Sequence, residues 1–247
     1  MPSNRAHDFP DPTLAPADID LIAISAFGST GFPLELNPQI VWPKLTKFGS
    51  NWDPDTLLNA YRVGLFPMPY EVDGNESAIG WWSPKSRAIF YPDQIHISNS
   101  LKSALKKFTV TVDQDFSSVI KACGNPERES GWINQDVISA FTALHEIGLA
   151  HSIEVWTGDG HLAGGLYGLE LGGVFAGESM FHVVKNASKV ALVHLGGLLN
   201  DGKGRVIDTQ WMTGHLESMG AKAIDRADYC SMLPNLLNFP PLLSATE

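Results

Sequence analysis

Cysteine is nearly missing from these 247 residues: there are two, Cys123 and Cys230, far apart and with no CxxC spacing. A disulfide framework or a zinc knuckle needs more thiols or closer ones, so neither is expected and a reducing compartment fits. Long apolar runs are lacking too. Residues 21–27 have neither the basic flank nor the length of a signal peptide, and no run approaches the roughly 20 apolar residues of a membrane span. Cations are in deficit, with 17 Lys and Arg against 27 Asp and Glu, a net charge of −10. That deficit argues against general affinity for nucleic acid, which is bound mainly through positive charge. Repeats and low-complexity tracts are absent. What remains is an ordinary globular composition, 44% hydrophobic and 18% charged, able to bury one large core or two modest ones.

The charge that is present is unevenly spread. Residues 1–76 carry a net −6 and residues 113–247 a net −8, whereas residues 77–112 carry +4. Lys85, Arg87, Lys102, Lys106 and Lys107 make this basic island, and its plain reading is a solvated helix face. The first thirty residues, with Pro2, Pro10, Pro12 and Pro16, read as a loosely ordered lead-in, and structure is expected from near Phe32. Asp53-Pro54 opens a helix with Leu57, Leu58 and Tyr61 on its apolar face, ending at Gly64. The two prolines of FPMPY predict a turn. Residues 79–91 read as a strand or strand pair, and Ser98 or Ser100 caps a helix that turns Lys102 and Lys106 outward. Residues 110–112 read as a strand, Asp115 and Asn134 as caps of two further helices, and residues 151–223 as three strands, a helix, a strand, a short helix and a last strand. The fold class is therefore mixed α/β (α+β).

The stretch from His161 to Gln210 carries the densest signal. Residues 166–171 and 174–181 are short β-prone runs joined by Gly172-Gly173, which supplies the positive φ of a tight hairpin. Side chains alternate along a strand, so Glu178 and Met180 are expected on one face, and likewise Asp208 and Gln210 in the later strand at residues 205–210. Between them, Asn186 or Ser188 is placed to cap a helix with Ala187, Ala191, Leu195 and Leu198 at helical spacing. Polar groups gathered on otherwise apolar, rigid elements are how a site is built. Each is also the kind of residue found as a satisfied polar group at a strand end. The order of hairpin, helix and strand resembles the core of the GNAT (acyl-CoA N-acyltransferase-like) enzymes, but HVVKNASK (182–189) lacks the glycine-rich loop that would cradle a coenzyme A pyrophosphate.

A more specific resemblance rests on the run AHSIEVW (150–156), GGLYG (164–168), GESMF (177–181), NASK (186–189) and IDTQ (207–210), with LLNAYRVGLFP (57–67), WWSP (81–84), HIS (96–98) and GWI (131–133) upstream. In order and spacing these resemble leucyl/phenylalanyl-tRNA–protein transferases, over roughly residues 32–235. The resemblance implies a small N-terminal α/β domain at 32–95 and a GNAT-like C-terminal domain at 96–235, leaving the lead-in at 1–31 and a tail at 236–247. It implies a cytoplasmic, monomeric aminoacyltransferase that needs no cofactor and no metal. Its donors are aminoacyl-tRNAs carrying Leu, Phe or, to a lesser extent, Met, and its acceptors are proteins with N-terminal Lys or Arg, which the transfer marks as N-degrons. A transferase with another amine acceptor, or a non-catalytic aminoacyl-tRNA-binding protein, would share many of these motifs.

Amine attack on an activated ester needs mainly positioning, because part of an α-amino group of pKa about 8 is already neutral in the cytosol. The resemblance places Asp208, Gln210 and Glu178 at the reaction centre. An amide is too weak a base to hold a proton near neutrality, so Gln210 is expected to orient the amine, and Asp208 to orient the amide and supply negative potential. Glu178 is left two roles, bridging a water to the ester or holding the acceptor's cationic side chain. Leu166, Met180 and Ile207 match the donor side-chain pocket, and plain core packing is their alternative. Trp132 matches a tryptophan that stacks on the terminal adenine of the tRNA. Met68 stands where the family's FPW has the opposing ring, exchanging a stacked ring for a sulfur contact. Lys102, Lys106 and Lys107 match tRNA-contacting positions, in a helix that has Asn99 and Ser103 where the family tends to carry arginine. Thr209, where a cysteine is usual, is expected to be harmless.

Overall fold

The structure, a computed structural model, describes residues 19–26, 52–72, 75–126 and 132–243. The expected start at Phe32 and Gly131 of the GWI motif lie outside them. A three-stranded antiparallel sheet comes first, from β1 (Ile19–Ala26), β2 (Phe66–Val72) and β3 (Asn75–Pro84), in the order β1-β3-β2. Two expectations are corrected here. Part of the lead-in is not loose: the apolar segment IDLIAISA pairs with β3 as an antiparallel strand. FPMPY is a strand rather than a turn. β2 lies at the edge of its sheet, where every second N–H faces outward, so Pro67 and Pro69 at alternate positions remove no ladder bond.

The larger sheet has seven strands in the order β10-β4-β9-β8-β7-β6-β5. They are β4 (Ser86–Phe90), β5 (Thr109–Val112), β6 (Ala150–Trp156), β7 (Leu162–Leu171), β8 (Val174–His182), β9 (Val206–Asp208) and β10 (Lys222–Asp225). Neighbours run antiparallel except β8 and β9, which are parallel and pair only from Val174–Val206 to Ala176–Asp208. β8 therefore continues to His182 beyond the end of β9, and a wedge opens between them. β4 comes from residues assigned by resemblance to the N-terminal domain, so the sheet begins earlier than that division. Helix α1 (Pro54–Arg62) starts at Asp53, whose carboxylate accepts from Thr56 N at 2.9 Å. α2 (Asn99–Ala104), α3 (Phe116–Cys123) and α4 (Gln135–Glu146) are capped in the same way by Ser98, Asp115 and Asn134. α5 (Ala187–Leu199), α6 (Gly214–Ser218) and α7 (Arg226–Leu236) complete the set.

The sheet is covered on both faces. Along β7, Leu166 joins the core cluster of α5 while Tyr167 and Leu169 join that of α1, α3 and α4. α5 begins at Asn186, which makes no side-chain cap bond. Packing holds this helix instead: Leu192, Leu195 and Leu199 are buried, and each contributes about 1.5–3 kcal/mol.

On β8 the alternation breaks. Phe175 and Met180 both lie with α5, and Ala176 and Phe181 both lie on the opposite side, although five residues should change the face. Tyr167 pairs with Ser179 and Gly168 with Gly177, leaving Glu178 as an extra, unpaired residue in a β-bulge. Gly168 is required opposite it, because a Cβ there would meet the Ala176 carbonyl oxygen and the Phe175 ring. Glu178 and Met180 thus do not share a face: Glu178 reaches Tyr61 of α1, and Met180 stays with α5.

Candidate active site

Asp208, the last residue of β9, is fully buried and has both oxygens occupied. Arg87 of β4 donates to it twice, Nε to Oδ1 at 2.8 Å and Nη2 to Oδ2 at 2.5 Å. The Tyr229 hydroxyl of α7 donates to Oδ2 at 2.8 Å, and the backbone N–H of Gln210 to Oδ1 at 2.9 Å. Arg87 also donates to the Gly64 carbonyl at 3.0 Å, just beyond α1, and its guanidinium lies between the rings of Phe66 (5.1 Å) and Tyr229 (4.5 Å). A buried pair with every acceptor filled is stable, but removing one partner strands a charge at a cost of about 3–5 kcal/mol. Burial opposes the charge on Arg87, yet Asp208 overcomes that and holds the guanidinium above its ordinary pKa. Burial, reinforced by Asp208, raises the Tyr229 phenol in turn.

Beside this pair stands Glu178, which accepts from the Tyr61 hydroxyl at 2.6 Å. Burial pushes its carboxyl up to about 8; the bond from Tyr61 and the charge of Arg87 oppose the rise, and the charge of Asp208 adds to it. At pH 7 Glu178 is therefore mostly a neutral acid, able to donate a hydrogen bond and poorly suited to holding a cationic side chain. Tyr61 is itself raised, by its burial first and by Glu178 next.

Gln210 does not follow the strand. Its φ is 59°, in the left-handed region, so the expected shared face with Asp208 is lost at this residue. Such a conformation costs about 1–3 kcal/mol and persists where its surroundings enforce it. Here the bond from its N–H to Asp208, and its carbonyl accepting from Ala88 N at 3.1 Å, pin both sides of the residue. The side-chain amide is buried, and neither its oxygen nor its nitrogen has a hydrogen-bond partner among the described residues. Asp208 thus does not orient the Gln210 amide directly, as expected from sequence. It fixes the backbone that carries the amide, and its charge is answered by Arg87.

Leu166 and Met180 are cross-strand partners, and with Ile207 they sit fully buried in the α5 cluster. Trp132 is half-buried against the cluster of α1, α3 and α4, the same cluster in which Met68 is 2% exposed. Met68 is therefore packed in β2, paired across to Gly80, with almost no surface to offer a ring. Lys102, Lys106 and Lys107 are exposed, the last two just past the end of α2. Arg87 leaves the basic island altogether, being 1% exposed. Thr209 is buried and donates its hydroxyl to the Ala88 carbonyl at 3.1 Å. The sequence reading missed Tyr61, Arg87 and Tyr229 as parts of this cluster. For Arg87 a signal was present, an arginine inside the apolar strand SRAIF, since a buried cation needs a counter-charge. For Tyr229 there was none, because α7 carries an internal Pro234 and no clear apolar periodicity. No three His, Cys, Asp or Glu side chains among the described residues gather as a metal site would require.

Residues 89–234 match the family described as leucyl/phenylalanyl-tRNA protein transferase, and residues 51–85 match the N-terminal domain of the same family. The chain belongs to the leucyl/phenylalanyl-tRNA–protein transferase family. Among curated members, that of Shewanella baltica is 46% identical over 200 residues, covering 79% of this chain and 82% of the relative. That of Nitrosomonas europaea is 41% identical over 222 residues, covering 87% of this chain and 90% of the relative. That of Rhodospirillum rubrum is 47% identical over 188 residues, covering 74% and 87%. Among solved structures, L-PGS from Bacillus licheniformis aligns with a TM-score of 0.38 at 10% identity over 76% of this chain and 71% of that one, and adds nothing to the assignment. Glu178, Asp208, Gln210 and Tyr229 lie in the longer matched stretch of this transferase and Tyr61 in the shorter, while Arg87 falls in the short gap between the two.

Proposed function

We propose that this protein transfers leucine or phenylalanine, and methionine less readily, from aminoacyl-tRNA to the α-amino group of proteins beginning with Lys or Arg, marking them for degradation. The observation that carries the reading is the buried amide of Gln210, without a hydrogen-bond partner among the described residues and held in a strained backbone beside Asp208 in a chain of this family. In the reaction the amine nitrogen attacks the ester carbonyl carbon, the bond to the ribose oxygen breaks, and a proton passes from the amine to that departing oxygen, which leaves as the ribose hydroxyl. The ester is already activated, so alignment supplies most of the acceleration. The Gln210 carbonyl accepts from the amine and aims its lone pair. Glu178, neutral near pH 7, donates toward the oxygen that gathers charge, with Tyr61 fixing its position. Leu166, Met180 and Ile207 line an apolar donor pocket on the α5 side, where neighbouring aliphatic side chains are told apart only weakly.

The same reading takes the larger sheet with its parallel β8–β9 wedge as GNAT-like, divides the chain ahead of β4 rather than near residue 95, gives Trp132 to the terminal adenine with Met68 buried in the same cluster rather than stacked on the base, and puts Lys102, Lys106 and Lys107 on tRNA phosphates. It places a monomeric enzyme in the cytoplasm. The decisive assay offers Leu-, Phe- and Met-tRNA with acceptor peptides beginning with Arg, Lys and Ala. Transfer to the Arg and Lys peptides is expected. No transfer from Leu-tRNA would overturn the reading, and equal transfer to the Ala peptide would overturn its acceptor class. Gln210→Ala should lose about 100-fold or more in kcat, whereas Gln210→Glu, which keeps an acceptor oxygen, should retain substantial activity. Equal loss in both would contradict the orienting role.

A further inference from the structure

Four lysines that lie apart in sequence are brought to one end of the larger sheet. Lys106 and Lys107 lead into β5, whose first residue Thr109 is opposite Trp156 on β6. Trp156 is opposite Leu162 on β7, and Gly164 is opposite His182 at the end of β8. Three strand spacings, about 14 Å, thus separate the Lys106–Lys107 turn from the loop at residues 183–186, which carries Lys185 and leads into Lys189 on the first turn of α5. α2 packs on α5 along the same side. In the connecting segments at this end (residues 105–108, 157–161 and 183–189) the charged residues are four lysines and one acid, Asp159, in a chain of net charge −10. Asp159 is engaged by Thr157 and His161, while none of the four lysines forms an ion pair among the described residues. The Lys185–Lys189 end of the row adjoins the wedge, since β9 flanks β8 on the side away from β7, β6 and β5; His182, where β8 ends and the loop begins, lies four residues, or about 13 Å, beyond Glu178.

We propose that the β8–α5 loop is a second phosphate-binding edge for the donor tRNA, with Lys185 and Lys189 on the backbone of its acceptor arm and Lys106 and Lys107 across the same row. The inference rests on aminoacyl-tRNA being the donor. Unpaired cations concentrated on an acidic protein, at this reach from the reaction centre, fit a polyanion whose end must enter the wedge. Val183, 70% exposed, and Val184, 38% exposed, stand beside Lys185, a combination that an anionic lipid surface would also accept. A membrane does not thread a wedge, and so the position favours RNA.

The test is titration of the full-length protein with tRNA from about 50 to about 200 mM salt, for wild type, Lys185→Ala/Lys189→Ala and Lys185→Arg/Lys189→Arg. Two lost phosphate contacts should lower the slope of log affinity against log salt by about 1.5, and arginine should restore it, which a folding defect would not allow. An unchanged slope in both variants overturns the proposal while leaving the transferase reading intact. So does wild-type binding to phosphatidylglycerol vesicles that the alanine variant loses with its tRNA slope unaltered. A wild type that neither binds tRNA nor transfers leucine removes the donor reading, and this proposal with it.

Discussion

Glu154 on β6 and Glu178 on β8 are both buried glutamates, one strand apart in the same sheet, and their surroundings differ in kind. Glu154 is wrapped in donors: the hydroxyls of Ser152 and Thr111 at 2.5 Å each and the backbone N–H groups of Gln114 and Asp115 at 3.4 Å. Nearby, Asp113 accepts from His151 and from Ser152 N, and Glu170 accepts from the N–H groups of Leu242 and Leu243, tying the C-terminal segment to the sheet. Glu178 has the Tyr61 hydroxyl and the field of Asp208 beside it, and its carboxyl rises to about 8. A carboxylate whose lone pairs are filled by several donors serves as a brace. One given few stays protonated, beside a strained glutamine whose amide has no hydrogen-bond partner among the described residues, and the proposed reading puts the substrate at the groups left open.

Substitutions can break this contrast, beginning with the most damaging. Asp208→Asn leaves Arg87 buried without its counter-charge and should cost about 3–5 kcal/mol in urea unfolding, with loss of transfer. Retention of wild-type stability would show that the pair is not what holds the strand end. Glu154→Gln should cost about 1–3 kcal/mol while leaving kcat/KM for transfer near wild type; a large fall in kcat/KM would erase the distinction between brace and reaction centre. Tyr229→Phe removes a hydrogen bond to a charged group, worth about 1.5–3 kcal/mol, and should lower kcat more than it raises KM, since it loosens the support under Gln210. Glu178→Gln tests the protonation state. With a folded pKa of about 8 against an ordinary 4.5, the wild-type carboxyl favours the fold fully below pH 4.5, and that contribution is lost as pH rises through about 8. The glutamine variant should flatten stability over this window, and an unchanged slope would place the charge elsewhere. Thr209→Cys weakens only the bond to the Ala88 carbonyl, about 0.5–1.5 kcal/mol, the smallest change expected.

Local signals in the sequence were read well wherever one residue type does one job. Asp53, Ser98, Asp115 and Asn134 cap their helices, and Gly172 turns the hairpin with a φ of 60°. Features that depend on a distant partner were not legible. FPMPY looks like a turn until β2 is known to be an edge. The face of Glu178 cannot be counted from Met180 without knowing that Gly168 makes room for a bulge. Asp208 and Gln210 stand out by motif, but their relation is not legible in the sequence, because strand alternation ends where the backbone turns left-handed at Gln210. Arg87 was counted by its charge rather than by its apolar neighbours, which are what determine burial.

The bulge at Glu178 has a further consequence for how such a sequence can change. Were β8 regular, the Glu178 carboxyl and the Met180 thioether would crowd one side of the sheet, and every enlargement of the proposed donor pocket would press on the proposed reaction centre. With one extra residue the two face apart, Glu178 to α1 and Met180 to α5. On the proposed reading, mutations that retune which amino acid is accepted can accumulate on one side while the machinery on the other stays fixed, so selectivity and turnover are free to drift as separate traits.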